Sequence, residues 1–524
     1  MLLTAIGQWL ILFIPLEVGV SLAIVGALML VTLFFRKRFL DFLRRRVILL
    51  PKRSPAFITC IACFLLLILV LNAGPVGMDD TESYHIQMIK WIQEFGTVPG
   101  IANLHLRFGF NSAWFTAVAV LTHSGPNLNN YLSLNGLLCF WFCYYLLEKA
   151  FMLHGKRSVQ QALGCLVILG LSLLDWFVIR CSAMSANYDF ITTACIVLLF
   201  VELSESPDVI PWEWLMWPVF LFTVRIINFP LLVLSLVFIT DRLRKKGFAS
   251  LVIPMVMIFA FLVPFIWRNI LLSGYPFFPS GFMNWFPVDW KVDNQLRLQI
   301  LDYIKYFNRI NAGIQPVTVT RQLGFPAWLG PWYRNLFTVD KWLFTFSFPG
   351  FLYLAIFRRK SYTLLQKLWL FVTAFIFVSW WLIAPEPRFI QGIMLFVFYQ
   401  VVADLSLSSR FFKPGVLKTA CIGMALLVLT YGVLKWVRIP DYGNIFLPKA
   451  LPVPDYRTLK LDGLELHIPF RILNNWNPRC YDLALPCLYQ LDPRVEARGI
   501  RLSDGFRIKP EDRNIRYTGE YRTK

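Results

Sequence analysis

Pro55-Ala56-Phe57-Ile58-Thr59-Cys60-Ile61-Ala62-Cys63-Phe64-Leu65-Leu66-Leu67-Ile68-Leu69-Val70-Leu71-Asn72-Ala73 carries no charged side chain, and soon after it come Gly77-Met78-Asp79-Asp80-Thr81-Glu82-Ser83-Tyr84-His85. About 20 apolar residues in a helix cross a bilayer, so this stretch reads as a membrane span that delivers a cluster of carboxylates to the membrane surface. The whole composition agrees. Of the 524 residues, 57% are hydrophobic and 16% charged, and the mean hydropathy is +0.58. Soluble proteins carry roughly a quarter charged residues. The fold class expected is an all-α polytopic membrane protein. The net charge of +20 does not point to nucleic acid, because many basic residues lie in short clusters between apolar runs, where they set topology.

Apolar runs, this one included, lie at 8–35, 56–73, 129–150, 161–179, 190–204, 212–226, 229–240, 248–270, 343–357, 366–384, 389–407 and 416–434, which predicts a bundle of about twelve transmembrane helices. Basic clusters fall at 36–38 with 44–46, 156–157, 242 with 244–246, 358–360, and 410 with 413 and 418. If all face the cytoplasm, loops 74–128 and 271–342 and the C-terminus lie outside. The alternation closes only if 212–226 and 229–240 are separate passes with a tight turn near Asn228 and Pro230. Residues 1–435 then form the transmembrane domain and 436–524 an external C-terminal region. The first run has no charged leader region before it and is expected to stay as a helix. Residues 109–123 suit a re-entrant or interfacial element, and 82–95 an amphipathic surface helix. Leu464, Leu466 and Ile468 alternate as in a small folded cap.

Eight of the ten cysteines lie in or beside apolar runs. Cys60 with Cys63 and Cys139 with Cys143 lack nearby His or carboxylate partners and read as packing, so no metal site is expected. Cys480 and Cys487 stand apart in the external tail and are the disulfide candidates.

Chemistry concentrates at the outward ends of the runs. Asp79, Asp80 and Glu82 are costly at a membrane exit unless solvated, paired or used. Asp80 or Thr81 suits a helix cap; crowding of Asp79 against Asp80 would also raise one pKa, which suits a general base. Asp189 closes the next outward turn, as cap or as site. Arg225 is a cation on the face where cations are scarce. Pro385-Glu386-Pro387-Arg388-Phe389 is a stiff turn in which Glu386 and Arg388 either simply pair or hold a guanidinium at phosphate depth. Trp267-Arg268-Asn269 leads into Ser273-Gly274-Tyr275-Pro276-Phe277-Phe278-Pro279, which suits interfacial anchoring or a sugar or lipid cavity. Outward acids with outward arginines are what sugar transfer from a lipid phosphate requires: a base for the acceptor hydroxyl and cations for the departing phosphate.

With these residues in view the chain resembles the GT-C superfamily of polytopic glycosyltransferases. Asp80 with Tyr84 matches the spacing of that family's acidic first-loop motif, although Thr81 stands where an acid is usual, leaving Asp79-Asp80 as the acidic pair. Gly96-Thr97-Val98-Pro99 and Phe108-Gly109-Phe110 resemble the continuation of that loop. Met184 to Asp189 resembles the second acidic point, Arg225 with Pro230 a donor-phosphate element, and Pro387-Arg388-Phe389 an Arg-Tyr element opening a late helix. A fuller likeness is to bacterial multi-span proteins that combine Asp-Thr-x-x-Tyr-His, Arg-Asn-x-x-x-Ser-Gly-Tyr-Pro, Pro-x-Pro-Arg-Phe and a two-cysteine tail.

The resemblance implies a GT-C-like fold and an inverting glycosyltransferase of the bacterial cytoplasmic (inner) membrane, moving a sugar from a polyprenyl-phosphate donor to a glycan, lipid or protein acceptor at the outer face. Asp80, helped by Asp79, would be the base and Asp189 would orient sugar. Arg225 and Arg388 would hold the phosphate, with Tyr84, His85, Arg268 and Tyr275 also contacting substrate. It allows a divalent metal ion, although no ligand set in the sequence demands one. Membrane lipids are expected partners and nucleic acid is not. Two rival readings are a transporter or lipid flippase, and a polysaccharide polymerase or ligase.

Overall fold

The computed structural model describes the chain apart from residues 38–39, 41–53, 125–128, 156–157, 206–212, 311–320, 406–413, 439–447, 449, 471–478, 490 and 513–524. The basic clusters at 44–46 and 156–157, with Arg410 and Lys413, lie outside the described residues.

The protein is a mostly helical membrane protein. Six helices among the described residues are long and apolar enough to cross a bilayer: Pro55–Ala73, Ser133–His154, Ile226–Lys246, Phe248–Ser273, Leu364–Ile383 and Gly415–Arg438. A seventh crossing is available if Val159–Leu174 and Trp176–Ala183, which meet at 73°, form one broken span. Twelve apolar runs are therefore not twelve full-length helices. The run at 8–35 divides into Leu2–Leu10 and Val18–Phe34, because Pro15 and Glu17 interrupt it. The run at 161–179 breaks where the Asp175 carboxylate caps Phe177 and Val178 N–H at 2.8 and 3.1 Å. Residues 229–240 belong to a longer helix, whereas Glu213–Val224 (12 residues) and Gln391–Asp404 (14 residues) are short. Asp189–Glu205 (17 residues) buries most of its side chains, which is how an apolar run behaves when it packs inside a bundle.

Local signals explain several of these ends. Ser54 caps Phe57 N–H, with Pro55 in the first helical position. Thr363 and Gln366 form a reciprocal capping box. Asn72 donates to Leu132 O at 3.0 Å and Ala183 O at 2.7 Å, tying the end of the first long span to two neighbouring elements. Beyond it, Thr81–His85 is a wide π turn that runs into the helix Ile86–Glu94, whose Met88, Ile89, Trp91 and Ile92 are buried. The stretch at 109–123 becomes a short buried helix, Ala113–Leu121.

The C-terminal region forms two small antiparallel pairs, Tyr456–Leu461 with Leu464–Pro469 and Val495–Ala497 with Phe506–Ile508. Leu466 and Ile468 of the predicted alternation point inward. A disulfide joins Cys480 to Cys487. This region lies on both long loops. Gln87 donates to Tyr481 O and Leu483 O at 3.2 and 3.0 Å and accepts from Cys487 N–H at 3.3 Å. Phe506 N–H donates to Pro99 O at 3.0 Å, while Arg494 pairs with Asp293 and Arg498 with Asp289.

Candidate functional site

One large cavity, of about 1350 Å³, opens where the ends of several helices meet. Its polar side is built from segments distant in sequence. The first long span hands over to Asp79 and Asp80. Asn187, whose side-chain oxygen accepts from Asp189 N–H at 3.1 Å and Phe190 N–H at 3.2 Å, starts the helix that carries Asp189 in its first turn. Arg225 follows the end of Glu213–Val224. Arg388 sits in the turn between Leu364–Ile383 and Gln391–Asp404. That turn is pinned by two tryptophans: Trp332 Nε1 donates to Pro385 O and Trp380 Nε1 to Glu386 O, both at 2.7 Å.

These side chains meet in an alternating network of acids and guanidinium groups. Arg107 Nη1 lies 2.9 Å from Asp80 Oδ1. Arg388 places Nη2 3.4 Å from Asp80 Oδ2 and Nε 3.7 Å from Asp189 Oδ2. Arg225 pairs with Asp189 and lies 3.5 Å above the Phe389 ring. Glu386 stands 3.9 Å from Arg388 Nε. Three arginines thus face three carboxylates in a mostly buried setting, where each charge depends on the others for its solvation.

Burial pushes the Asp80 carboxyl up, but the Arg107 and Arg388 guanidiniums outweigh it and hold it below the usual carboxylate range. The rise expected from crowding against Asp79 does not occur at Asp80, because Asp79 turns to Arg479, 3.0 Å away, while Asp80 faces two cations. Burial pushes the His85 imidazole down to about 3. His85 is therefore neutral, with Nδ1 3.0 Å from the Thr81 hydroxyl. Thr81 in turn accepts from Ala186 N–H at 3.2 Å, so it links two loops. Tyr84 lies under Arg107, whose guanidinium carbon is 5.4 Å from the ring centroid.

Asp79, Asp80, Tyr84, His85, Asp189, Arg225 and Arg388 all line the cavity. Arg268 and Tyr275, expected to contact substrate, are not among its lining residues. Arg268 is buried behind the wall and donates to Asn111 Oδ1 at 2.6 Å. The Tyr275 hydroxyl donates to Val292 O at 3.1 Å, within a separate small apolar cluster. Arg107, Tyr303 and Asp340 also line the cavity; Tyr303 and Asp340 carry no signal in the sequence that marks them, and Glu386, readable there only as a pairing partner of Arg388, joins them. Arg107 is a cation within loop 74–128, which the basic-cluster pattern expects to lie outside, the same irregularity that singled out Arg225. Nothing in the sequence pairs it with Asp80.

Among the described residues no three His, Cys, Asp or Glu side chains are grouped to hold a metal ion. The donor set does not fit a divalent cation, because the charges of Asp80 and Asp189 are taken up by guanidinium groups.

Much of the rest of the lining is apolar and aromatic, including Phe222, Phe277, Phe282, Ile304, Phe307 and Leu336. The arrangement accommodates a molecule with an anionic or hydroxyl-rich head and a greasy remainder. Residues 1–395 match a family described as a domain of unknown function (DUF8201), and the match takes in every cavity-lining residue. No curated protein and no solved structure gives a significant match.

Proposed function

We propose that this chain, which belongs to the DUF8201 family, is a membrane glycosyltransferase that takes a sugar from a polyprenyl-phosphate donor. The observation that carries the reading is the convergence of Asp80, Asp189, Arg107, Arg225 and Arg388, drawn from remote parts of the chain, in one cavity whose remaining lining is largely apolar. In this reading the prenyl chain lies on the apolar lining and the phosphate rests against Arg225 and Arg388, which offer several N–H donors to a departing phosphate. Asp189 keeps Arg225 in place and orients sugar hydroxyls. Direct displacement by the acceptor hydroxyl inverts the anomeric carbon, through a transition state with oxocarbenium character and negative charge growing on the phosphate.

The finer topology belongs to the same proposal. Ile226–Lys246 starts beside the cavity and ends in a basic cluster, and Thr338–Tyr353 runs from the cavity towards Arg358-Arg359-Lys360. With basic ends in the cytoplasm, the cavity and the C-terminal region face outward across the cytoplasmic membrane. A GT-C-like count near twelve passes follows if the shorter apolar helices also cross.

The direct test is donor binding by the purified full-length protein in lipid nanodiscs, read with a polyprenyl phosphate as probe. Wild type is expected to bind, and Arg388→Ala to bind about 10- to 100-fold more weakly, the scale of one lost charge-assisted contact. Equal binding by Arg388→Ala and Arg225→Ala would overturn the phosphate assignment. Movement of the lipid across vesicles lacking any acceptor would favour a flippase instead.

A further inference from the structure

If the cavity transfers a sugar, as proposed above, some group must accept the proton of the attacking hydroxyl, and the three carboxylates of the network are not equally free to do so. Asp80 is engaged on both oxygens, Oδ1 by Arg107 at 2.9 Å and Oδ2 by Arg388 at 3.4 and 3.5 Å. Asp189 is engaged on Oδ1 by Arg225, and its Oδ2 lies 3.7 Å from Arg388 Nε, beyond hydrogen-bond reach. A carboxylate whose lone pairs already face guanidinium groups is a poor proton acceptor, since protonation would cost both ion pairs. Glu386 differs. Its one charged contact among the described residues is the long 3.9 Å approach to Arg388 Nε, and its side chain, about one-fifth exposed, lines the cavity.

The Glu386 backbone is meanwhile held firmly by Trp380 Nε1 at its carbonyl and by its own N–H to Ala384 O at 2.8 Å. The carboxylate is thus aimed by a rigid turn without being neutralised by a close partner, which is the geometry a general base needs.

We propose that Glu386 is the catalytic residue that takes the proton of the acceptor hydroxyl, and that Asp80 is a positioning residue that anchors Arg107 and Arg388. The acceptor O–H gives its proton to a Glu386 carboxylate oxygen while the hydroxyl oxygen bonds to the anomeric carbon. The bond from that carbon to the phosphate oxygen breaks, its electron pair stays on the phosphate, and polyprenyl phosphate leaves beside Arg225 and Arg388. Glu386 then returns the proton to water. The charged groups around Glu386 are Arg388, Asp189, Arg225, Asp80 and Asp340. Burial raises its carboxyl above the usual range, Arg388 and Arg225 oppose that shift, and Asp189 and Asp80 add to it. A base whose pKa lies closer to the working pH is more effective.

The test uses the full-length protein in nanodiscs, a set of polyprenyl-phosphate glycosides as donors and a bacterial envelope extract as acceptor, with single-turnover transfer followed against pH. Wild type is expected to gain rate with rising pH and then level off. Glu386→Gln should lose at least 100-fold in rate and lose that pH dependence, with polyprenyl phosphate binding kept within about threefold; Glu386→Asp should recover part of the rate. Asp80→Asn should weaken donor binding and retain the rising profile in whatever rate remains. Glu386→Gln with the wild-type rate and profile, or with donor binding lost alongside rate, would overturn the assignment while leaving the transferase reading intact. No transfer by wild type from any donor would overturn both.

Discussion

Asp80 illustrates what a residue letter can and cannot convey. Its position was legible: three carboxylates directly after a long apolar helix are costly unless solvated, paired or used. Its state was not, because the two guanidiniums that hold it come from Arg107 and Arg388, the latter 308 positions away. No local pattern encodes that pairing. Arg268 is the converse case, a cation in a suggestive sequence context that turns to Asn111 behind the wall. Asp80→Asn should reduce transfer at least 100-fold while the protein still inserts, read by activity alongside membrane fractionation. A second prediction concerns Glu82, which burial raises to about 7 despite Arg479 at 2.7 Å. A carboxyl raised above its unfolded value near 4.5 contributes stability that is complete below that pH and is lost as the pH rises through about 7. At 1.36 kcal/mol per unit this is of the order of 3 kcal/mol at most. Hydrogen exchange of Tyr481 N–H, which donates to Glu82 O at 2.7 Å, should quicken over that pH window in wild type and less so in Glu82→Gln.

Among the elements, the C-terminal region has the clearest structural consequence. Its cysteine pair and alternating strand were visible in the sequence, but not the surface it packs against. Arg479 reaches both Asp79 and Glu82, and the disulfide loop surrounds Gln87, so the region braces the turn that presents Asp80. Replacing both cysteines by serine frees a short loop and should cost about 2 kcal/mol of that bracing, seen as a lower Tm and earlier proteolysis of the tail. Gly100 makes a sharper probe of the same contact. Its φ is +67°, and a Cβ there would sit 2.0 Å from Phe506 O. Gly100→Ala should therefore release the Phe506–Pro99 bond, costing roughly 1–3 kcal/mol and exposing the tail to protease without disturbing the long spans. Element type was readable throughout the apolar runs, whereas span number was not. A short apolar helix inside a bundle and a membrane crossing have the same composition, and they differ only in length and in what surrounds them.

For the whole molecule, the sequence supported a helical membrane protein with its chemistry at one face. The structure adds that acids and arginines from five separate segments share one cavity that is otherwise lined largely by apolar side chains. The proposed sidedness predicts that a cysteine placed at exposed Ile500 is labelled by an impermeant maleimide in intact cells with the outer membrane opened, whereas one placed at Lys245 is labelled only after the inner membrane is broken. Sugar transfer from a lipid phosphate within that cavity is open to direct measurement. Nanodisc-embedded protein is given polyprenyl-phosphate glycosides and envelope extract, and the products are read by mass spectrometry and anomeric NMR. The expected outcome is one sugar added with inverted configuration, an equal amount of polyprenyl phosphate released, and neither product with Arg388→Ala. Donor left intact under every condition, or long chains built in place of single additions, would contradict it.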